Sequence, residues 1–172
     1  MIVGEYTYGA KEYIKTRSWD EGAQLKIGKF CSIADNIEVF LGGNHRVDWF
    51  TTYPFGHIHE DIFTTFSGEG HPQTRGDVII GNDVWIGSKV TIMSGITIGN
   101  GAVIAAQSVI VKDIPDYAIV GGNPAQIIKK RFPDNIIKHL NQLSWWDWDI
   151  EKINQHLPVL CSNDVNKILK LK

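Results

Sequence analysis

The sequence predicts a mainly β fold, a parallel β-helix built from hexapeptide repeats, interrupted by a long inserted loop and ended by a short α-helical tail. Three observations carry this expectation. An aliphatic residue recurs every six positions as Ile80, Ile86, Ile92, Ile98, Ile104 and Ile110. A small residue usually follows it, as at Gly81, Gly87, Gly99 and Ala105. Four positions after each isoleucine stands a second small or apolar side chain: Val84, Val90, Ile96, Ala102, Ser108 and Ile114. A period of six fits neither an amphipathic helix at 3.6 nor a strand alternating at 2. It fits short strands joined by tight corners, three to a coil, with the aliphatic side chains stacked inward and small residues letting the backbone turn. A β-sandwich would need strands of about five to six residues separated by polar turn clusters. Here Gly and Asn recur too closely for that.

Taken in order, the frame appears once at Val3-Gly4 and then lapses between Thr7 and Leu25, a loop or a poorly matching stretch of coil. It returns at Ile27-Gly28, Ile33-Ala34 and Val39. From Asn44 to Asp77 it disappears, and the spacing from Val39 to Ile80 is no multiple of six. That segment holds Trp49, Phe50, Tyr53, Pro54 and Phe55, too aromatic for a disordered linker, so an ordered excursion is expected. After Pro124 the hexads stop. Gln126 to Phe132, Asp134 to Leu143 and Asp149 to Leu157 read as short helices, with Pro133-Asp134 as a start signal and Pro158 as a stop. Ile136, Ile137, Leu140 and Leu143 fall on one side of the second. Trp145, Trp146 and Trp148 are expected to anchor this tail on the prism, where it also covers one open end. The expected division is residues 1–125 as the β-helix domain, with its insertion at 44–77, and 126–172 as the helical tail.

Composition narrows the function classes. The 172 residues carry 17 basic and 19 acidic side chains, with 43% hydrophobic and 21% charged residues, an ordinary globular balance. A net charge of -2 argues against a nucleic-acid partner, which asks for a basic face. Two cysteines, Cys31 and Cys161, are too few for a disulfide framework and read as reduced thiols. The start Met-Ile-Val-Gly-Glu lacks the features of a signal peptide, and no apolar run approaches the roughly 20 residues of a membrane helix. A cytoplasmic protein with no membrane partner is expected.

Particular segments go further. The hexads, Gly43-Asn44-His45-Arg46-Val47-Asp48, Thr52-Tyr53-Pro54-Phe55, Gly81-Asn82-Asp83-Val84-Trp85-Ile86-Gly87 and Gly121-Gly122-Asn123-Pro124-Ala125 together closely resemble the hexapeptide-repeat xenobiotic acetyltransferases, the family of type B chloramphenicol and streptogramin acetyltransferases. The resemblance runs from about Val3 to Trp148. It implies a left-handed parallel β-helix, against the general right-handed preference of parallel crossovers. It also implies acetyl-CoA as co-substrate, no metal, and a homotrimer in which active sites lie between subunits and the insertion of one chain reaches toward its neighbour. A heterologous threefold contact that buries a prism flank and closes is physically reasonable.

Within the resemblance, His45 matches the catalytic histidine of the Asn-His-Arg-x-Asp segment. An imidazole is the natural base at cellular pH, and here it would take the acceptor hydroxyl's proton as that oxygen attacks the thioester. A backbone N–H of a neighbouring coil would then hold the oxyanion. Asp48 either orients the imidazole or holds the loop through Arg46. Trp49 stands where related antibiotic enzymes often carry glycine, so it should reshape the acceptor pocket, to which Tyr8 and Tyr53 are further candidates. For the cofactor groove the resemblance implies Trp85, Ala105, Gly121, Gly122, Asn123 and Pro124, with Lys129, Lys130 and Arg131 as charges for the CoA phosphates. The family's lysine after Ala125 is Gln126 here. Trp85 also reads as subunit-interface packing, and Cys31 as core. His57-Ile58-His59-Glu60-Asp61 has a metal-like look but no further partner, and reads as a solvated loop.

The leading expectation is an acetyl-CoA-dependent O-acetyltransferase acting on a small-molecule acceptor. Trp49 and the loop Phe66 to His71 depart from the antibiotic pattern, which tilts the acceptor toward a sugar hydroxyl of a surface polysaccharide over chloramphenicol or a streptogramin. N-acetylation of an amino sugar and a non-catalytic β-helix scaffold are the other readings. A zinc carbonic anhydrase on the same prism is disfavoured, because no histidine occurs between Val78 and Ile128.

Overall fold

A computed structural model describes all 172 residues. The chain winds around three sheets, and each coil visits them in the same order. The first sheet stacks β1 (Ile2–Val3), β3 (Leu25–Ile27), β6 (Val78–Ile80) and β9 (Thr97–Ile98), all parallel. The second holds β4 (Ser32–Ile33), β7 (Trp85–Ile86), β10 (Val103–Ile104) and β12 (Ala118–Gly122), again parallel, with Tyr8 bridged to Ser32 below β4. The third stacks β2 (Ile14–Arg17), β5 (Ile37–Phe40), β8 (Thr91–Ile92) and β11 (Val109–Ile110). Register follows the hexads: Ile33 reaches Ile104 through Ile86, and Val39 reaches Ile110 through Ile92.

These columns form one cluster of 22 buried residues, Ile86, Ile92, Ile98 and Ile110 among them at 0% exposure. Each buried isoleucine stabilises the fold by roughly 1.5–3 kcal/mol relative to leaving it in water. Strands of two residues could not stand alone. They persist because each inner rung is paired above and below and each edge rung is paired on one side. Cys31 is fully buried in the same column, where its thiol faces the Gly81 carbonyl at 3.1 Å and burial pushes its pKa up.

The excursion over 18–24 and the insertion over 44–77 leave at the same corner, between the third sheet and the first. The early lapse contains a short helix α1 (Ala10–Tyr13), then β2, then an excursion from Ser18 to Gln24. The second excursion, 44–77, contains no helix or strand and returns in register, with Leu25 pairing Val78 and Ile27 pairing Ile80. Its foot is closed by Asn44 and Gln73, which exchange backbone hydrogen bonds of 2.9 Å each.

The chain end departs from expectation at one element. The segment read as a helix over Gln126–Phe132 is a strand, β13 (Ala125–Lys130), which folds back antiparallel on β12 after the turn at Gly122-Asn123-Pro124. β12 is the last rung of its sheet, and its open edge offers unpaired backbone groups that a helix could not satisfy. Ile127 and Ile128, both β-branched, suit that strand. The prism therefore extends to Lys130, and the helical tail begins with α2 (Asp134–Leu143). Ile136, Leu140 and Leu143 are buried there, and Ile137 is half-buried. A 3-10 turn (Trp145–Asp147) follows, with Trp146 buried and Trp145 against Phe30. Next comes α3 (Ile150–Leu160), capped by Asp149, whose carboxylate accepts from the Lys152 N–H. Pro158 does not stop α3. It lies in the last turn, and the chain continues to Leu160, with Cys161 N–H reaching Leu157 O. A fourth helix, α4 (Val165–Ile168), ends the chain. No helix is long and apolar enough to cross a membrane.

Candidate active site at the prism corner

The early excursion braces the foot of the insertion. The Glu21 carboxylate accepts the backbone N–H of Trp19 at 2.8 Å and of Gly43 at 2.5 Å. Burial works against that charge, but the N–H groups of Gly43, Glu21 and Trp19 outweigh it and hold its pKa below the usual carboxylate value. Gly43 has φ 76°, and a Cβ there would fall 2.4 Å from the Trp19 ring, so the chain can turn out only at a glycine. Asn44 adds a side-chain bond to Ser94 Oγ at 3.0 Å. Gly43 and Asn44 belong to a segment that sequence reasoning singles out, whereas their partners Glu21, Trp19 and Ser94 do not. Glu21 and Trp19 sit in the lapse of the repeat, where only the folded chain gives them meaning.

His45 follows directly, on a strapped foot. Its Nδ1 lies 2.7 Å from the backbone carbonyl of Thr52. A carbonyl only accepts, so Nδ1 carries the hydrogen and donates it. Nε2 is left with its lone pair, the form a general base needs. The orienting group is thus a main-chain oxygen. Asp48 takes the other role weighed for it: both its oxygens accept from Arg46, one from Nε at 2.7 Å and one from Nη2. Arg46 holds the Asp48 pKa down at about 2, despite the opposing pull of desolvation. The same guanidinium lies over the Trp49 ring, 4.9 Å from its centroid.

Beyond His45 the insertion folds over an apolar cavity of about 560 Å³. Trp49, Tyr53, Phe55, Ile62, Phe63 and Phe66 supply its walls. The hydroxyls present are those of Thr51, Thr64, Thr65 and Tyr53. Trp49 meets Phe66 edge-on at 5.7 Å, and Tyr53, Phe55 and Phe63 form a second aromatic group with Phe55–Phe63 at 4.9 Å. The cavity and His45 share one stretch of chain, since the carbonyl that holds His45 lies between Thr51 and Tyr53. Of the expected acceptor residues, Trp49 and Tyr53 are brought together here. Asp48 is paired away from the cavity. Tyr8, 64% exposed, is placed on the second sheet. No three His, Cys, Asp or Glu side chains assemble in the manner of a metal site, the His57 to Asp61 run included.

The residues expected at the cofactor lie on that second sheet, a different wall of the prism. Trp85 points outward, 57% exposed, in register with Ser32 and Val103. Through Val103 and Ile119 the same ladder reaches Lys129 on β13. Tyr8 and Lys129 are therefore separated by five strand spacings, roughly 24 Å. Ala105 and Gly121 meet: a Cβ at Gly121 would stand 3.2 Å from the Ala105 Cβ. The two leave a low ledge beside the turn of Gly122, Asn123 and Pro124, and a slender chain such as pantetheine can approach such backbone closely. Lys129 is exposed and unpaired, whereas Lys130 is bonded to Asp134. Arg131 is committed inward. Its Nη1 donates to Gly101 O at 2.7 Å, lies 3.4 Å from Asp83, and its guanidinium covers Tyr117 and Phe132. It anchors the tail and is not a free charge for a phosphate.

Comparison with known proteins points the same way. Residues 77–112 match the bacterial transferase hexapeptide family, described as six repeats. The chain is 42% identical over 176 residues to a chloramphenicol acetyltransferase of Klebsiella aerogenes, covering 95% of this chain and 83% of the relative. It is 50% identical over 145 residues to a probable macrolide acetyltransferase of Lysinibacillus sphaericus, covering 82% and 79%. A solved hexapeptide-repeat acetyltransferase of Vibrio cholerae superposes with a TM-score of 0.55 at 25% identity, over 76% of this chain and 62% of that one. With its repeats stacked in register and its relatives acetyltransferases along most of their length, the chain belongs to the hexapeptide-repeat xenobiotic acetyltransferases and is an acetyltransferase.

Proposed function

We propose that this acetyltransferase moves the acetyl group of acetyl-CoA directly to a hydroxyl of a small, largely apolar acceptor, with His45 as general base. The observation that carries the reading is the Thr52 carbonyl on His45 Nδ1, which leaves Nε2 free on the same insertion that lines an aromatic cavity. The acceptor oxygen bonds the thioester carbonyl carbon as its proton passes to Nε2. The carbon–sulfur bond then breaks, and the same proton returns to the departing CoA sulfur. Neither cysteine is needed as a nucleophile.

The cofactor ledge and His45 hang on different walls, so a left-handed prism packed as a homotrimer would join the corner of one chain to the second sheet of the next. The six apolar walls of the cavity suit a planar or macrocyclic body more than a pyranose rich in hydroxyls. The sugar acceptor favoured by the sequence thus becomes the second reading, supported by the flat faces of Trp49 and Tyr53. The drug acceptors in the relatives' names, chloramphenicol and a macrolide, become the first.

His45→Ala should lower kcat by about a hundredfold or more, the usual scale for a general base. Acetyl-CoA binding by calorimetry should be retained. An undiminished rate would remove His45 from the role. Acetylation assays with chloramphenicol, a streptogramin A, a macrolide and nucleotide sugars rank the acceptors, and turnover confined to the sugars would put the sugar back in first place.

A further inference from the structure

His71 ends the excursion just before its foot and takes no part in lining the cavity. Both of its ring nitrogens are buried and have no hydrogen-bond partner. Buried polar atoms nearly always find one, so the exception asks for a reason. Its ring stands against His45 at a centroid distance of 4.7 Å and an interplanar angle of 84°. On another side it meets His57 at 5.3 Å, and Trp49 lies 6.5 Å away. One carbonyl ties this arrangement down: Gly68 O accepts the His71 backbone N–H at 3.1 Å and lies 3.2 Å from His57 Nε2.

The charged and titratable groups facing this ring are His45 and His57, with Arg46 close by the neighbouring Gly70. All are neutral or cationic. Of the carboxylates on the same excursion, Asp48 is held by Arg46, Asp77 by Lys26, and Glu60, Asp61 and Glu69 are exposed to solvent. None is bonded to a protonated His71 as a counter-ion. Burial, then the charges that His45 and His57 can carry, push its pKa down. The ring is an uncharged plate set edge-to-face against the catalytic imidazole.

We propose that His71 is the positioning residue for His45, an uncharged wall that fixes the plane of the catalytic ring so that Nε2 faces the acceptor while Nδ1 stays on Thr52. Thr52 alone fixes one atom of the imidazole and leaves the ring free to swing about that bond. An edge-to-face ring pair removes the swing. The inference rests on His45 being the base, and the experiment separates the two.

His71→Ala should lower kcat by about 10-fold or more, because small misplacements of a base are costly, with KM for acetyl-CoA within about twofold of wild type. His71→Phe, which restores an uncharged ring, should recover most of that loss. NMR should show one sharp set of His45 ring signals in the wild-type protein and exchange-broadened or multiple ring signals in His71→Ala, the Nδ1–H tautomer set by Thr52 persisting in both, with circular dichroism confirming the fold of each variant. An unchanged kcat in His71→Ala, a single sharp set of His45 ring signals despite lost activity, or a folded His71→Phe no better than the alanine variant would each overturn the proposal. Full activity of His45→Ala would instead overturn the base, whatever His71 does.

Discussion

Arg131 and Asp83 form a charged pair at the seam between prism and tail, as do Lys29 and Asp147, and the side chains of Arg131 and Asp83 are each about one-third exposed. Burial pushes the Asp83 pKa up, and Arg131 offsets this only in part. A carboxyl whose folded pKa exceeds its unfolded value favours folding when protonated, and that contribution is lost as pH rises through the folded value. Arg131→Met removes the offset and leaves the Gly101 carbonyl unpartnered. It should cost about 1–2 kcal/mol near neutral pH, on the scale of a lost charged hydrogen bond. As pH falls through the raised folded value and Asp83 takes up its proton, the difference from wild type should shrink toward the cost of the lost Gly101 bond, which thermal melts at neutral and acid pH would show. The sequence points Arg131 toward the cofactor because a basic run follows the prism. What it does not disclose is the strand: an antiparallel β13 turns Arg131 back onto Tyr117, and no spacing announces that reversal. His45 is legible through its motif, while its Thr52 carbonyl and its His71 wall are not, since both depend on how an irregular segment folds over itself.

At the scale of the element, the hexad holds more than a column of isoleucines. The glycine that follows the inward residue, at positions 28, 81, 87 and 99, lies where the next coil's backbone comes closest. A Cβ on Gly28 would stand 2.6 Å from the Gly81 carbonyl oxygen, and one on Gly81 would stand 2.8 Å from the Asn100 nitrogen. These are main-chain atoms held by the ladder, and they cannot move aside cheaply. Gly28→Ala should therefore destabilise by about 1–3 kcal/mol, as overpacking does, and denaturant unfolding would measure it. The three sheets are readable because the buried aliphatic residue repeats six residues apart, and the steric demand for glycine reinforces the first two. The hairpin of β12 and β13 is not, because it occurs once and its exposed Gln-Ile-Ile-Lys-Lys stretch has no period to betray it.

For the whole molecule, the division of labour is spatial. No residue between 44 and 77 belongs to the 22-residue core. Replacing residues 46–71 by a short flexible linker should keep the β signature in circular dichroism and a cooperative melt, and should abolish acetyl transfer. Loss of the cooperative melt would mean that the insertion is needed to hold the prism together. The prism is legible except for its last strand and for β2, which lies in the lapse between Thr7 and Leu25, and the insertion only as an ordered interruption, since aromatic content says that a segment packs and not against what.

The paired backbone bonds between Asn44 and Gln73 act as a socket. Whatever is strung between those two residues, the column above and below keeps its register, so a chain of this kind can exchange its recognition module wholesale. Grafting the corresponding segment of a relative with another acceptor should transplant that acceptor's turnover while the donor side stays as it was.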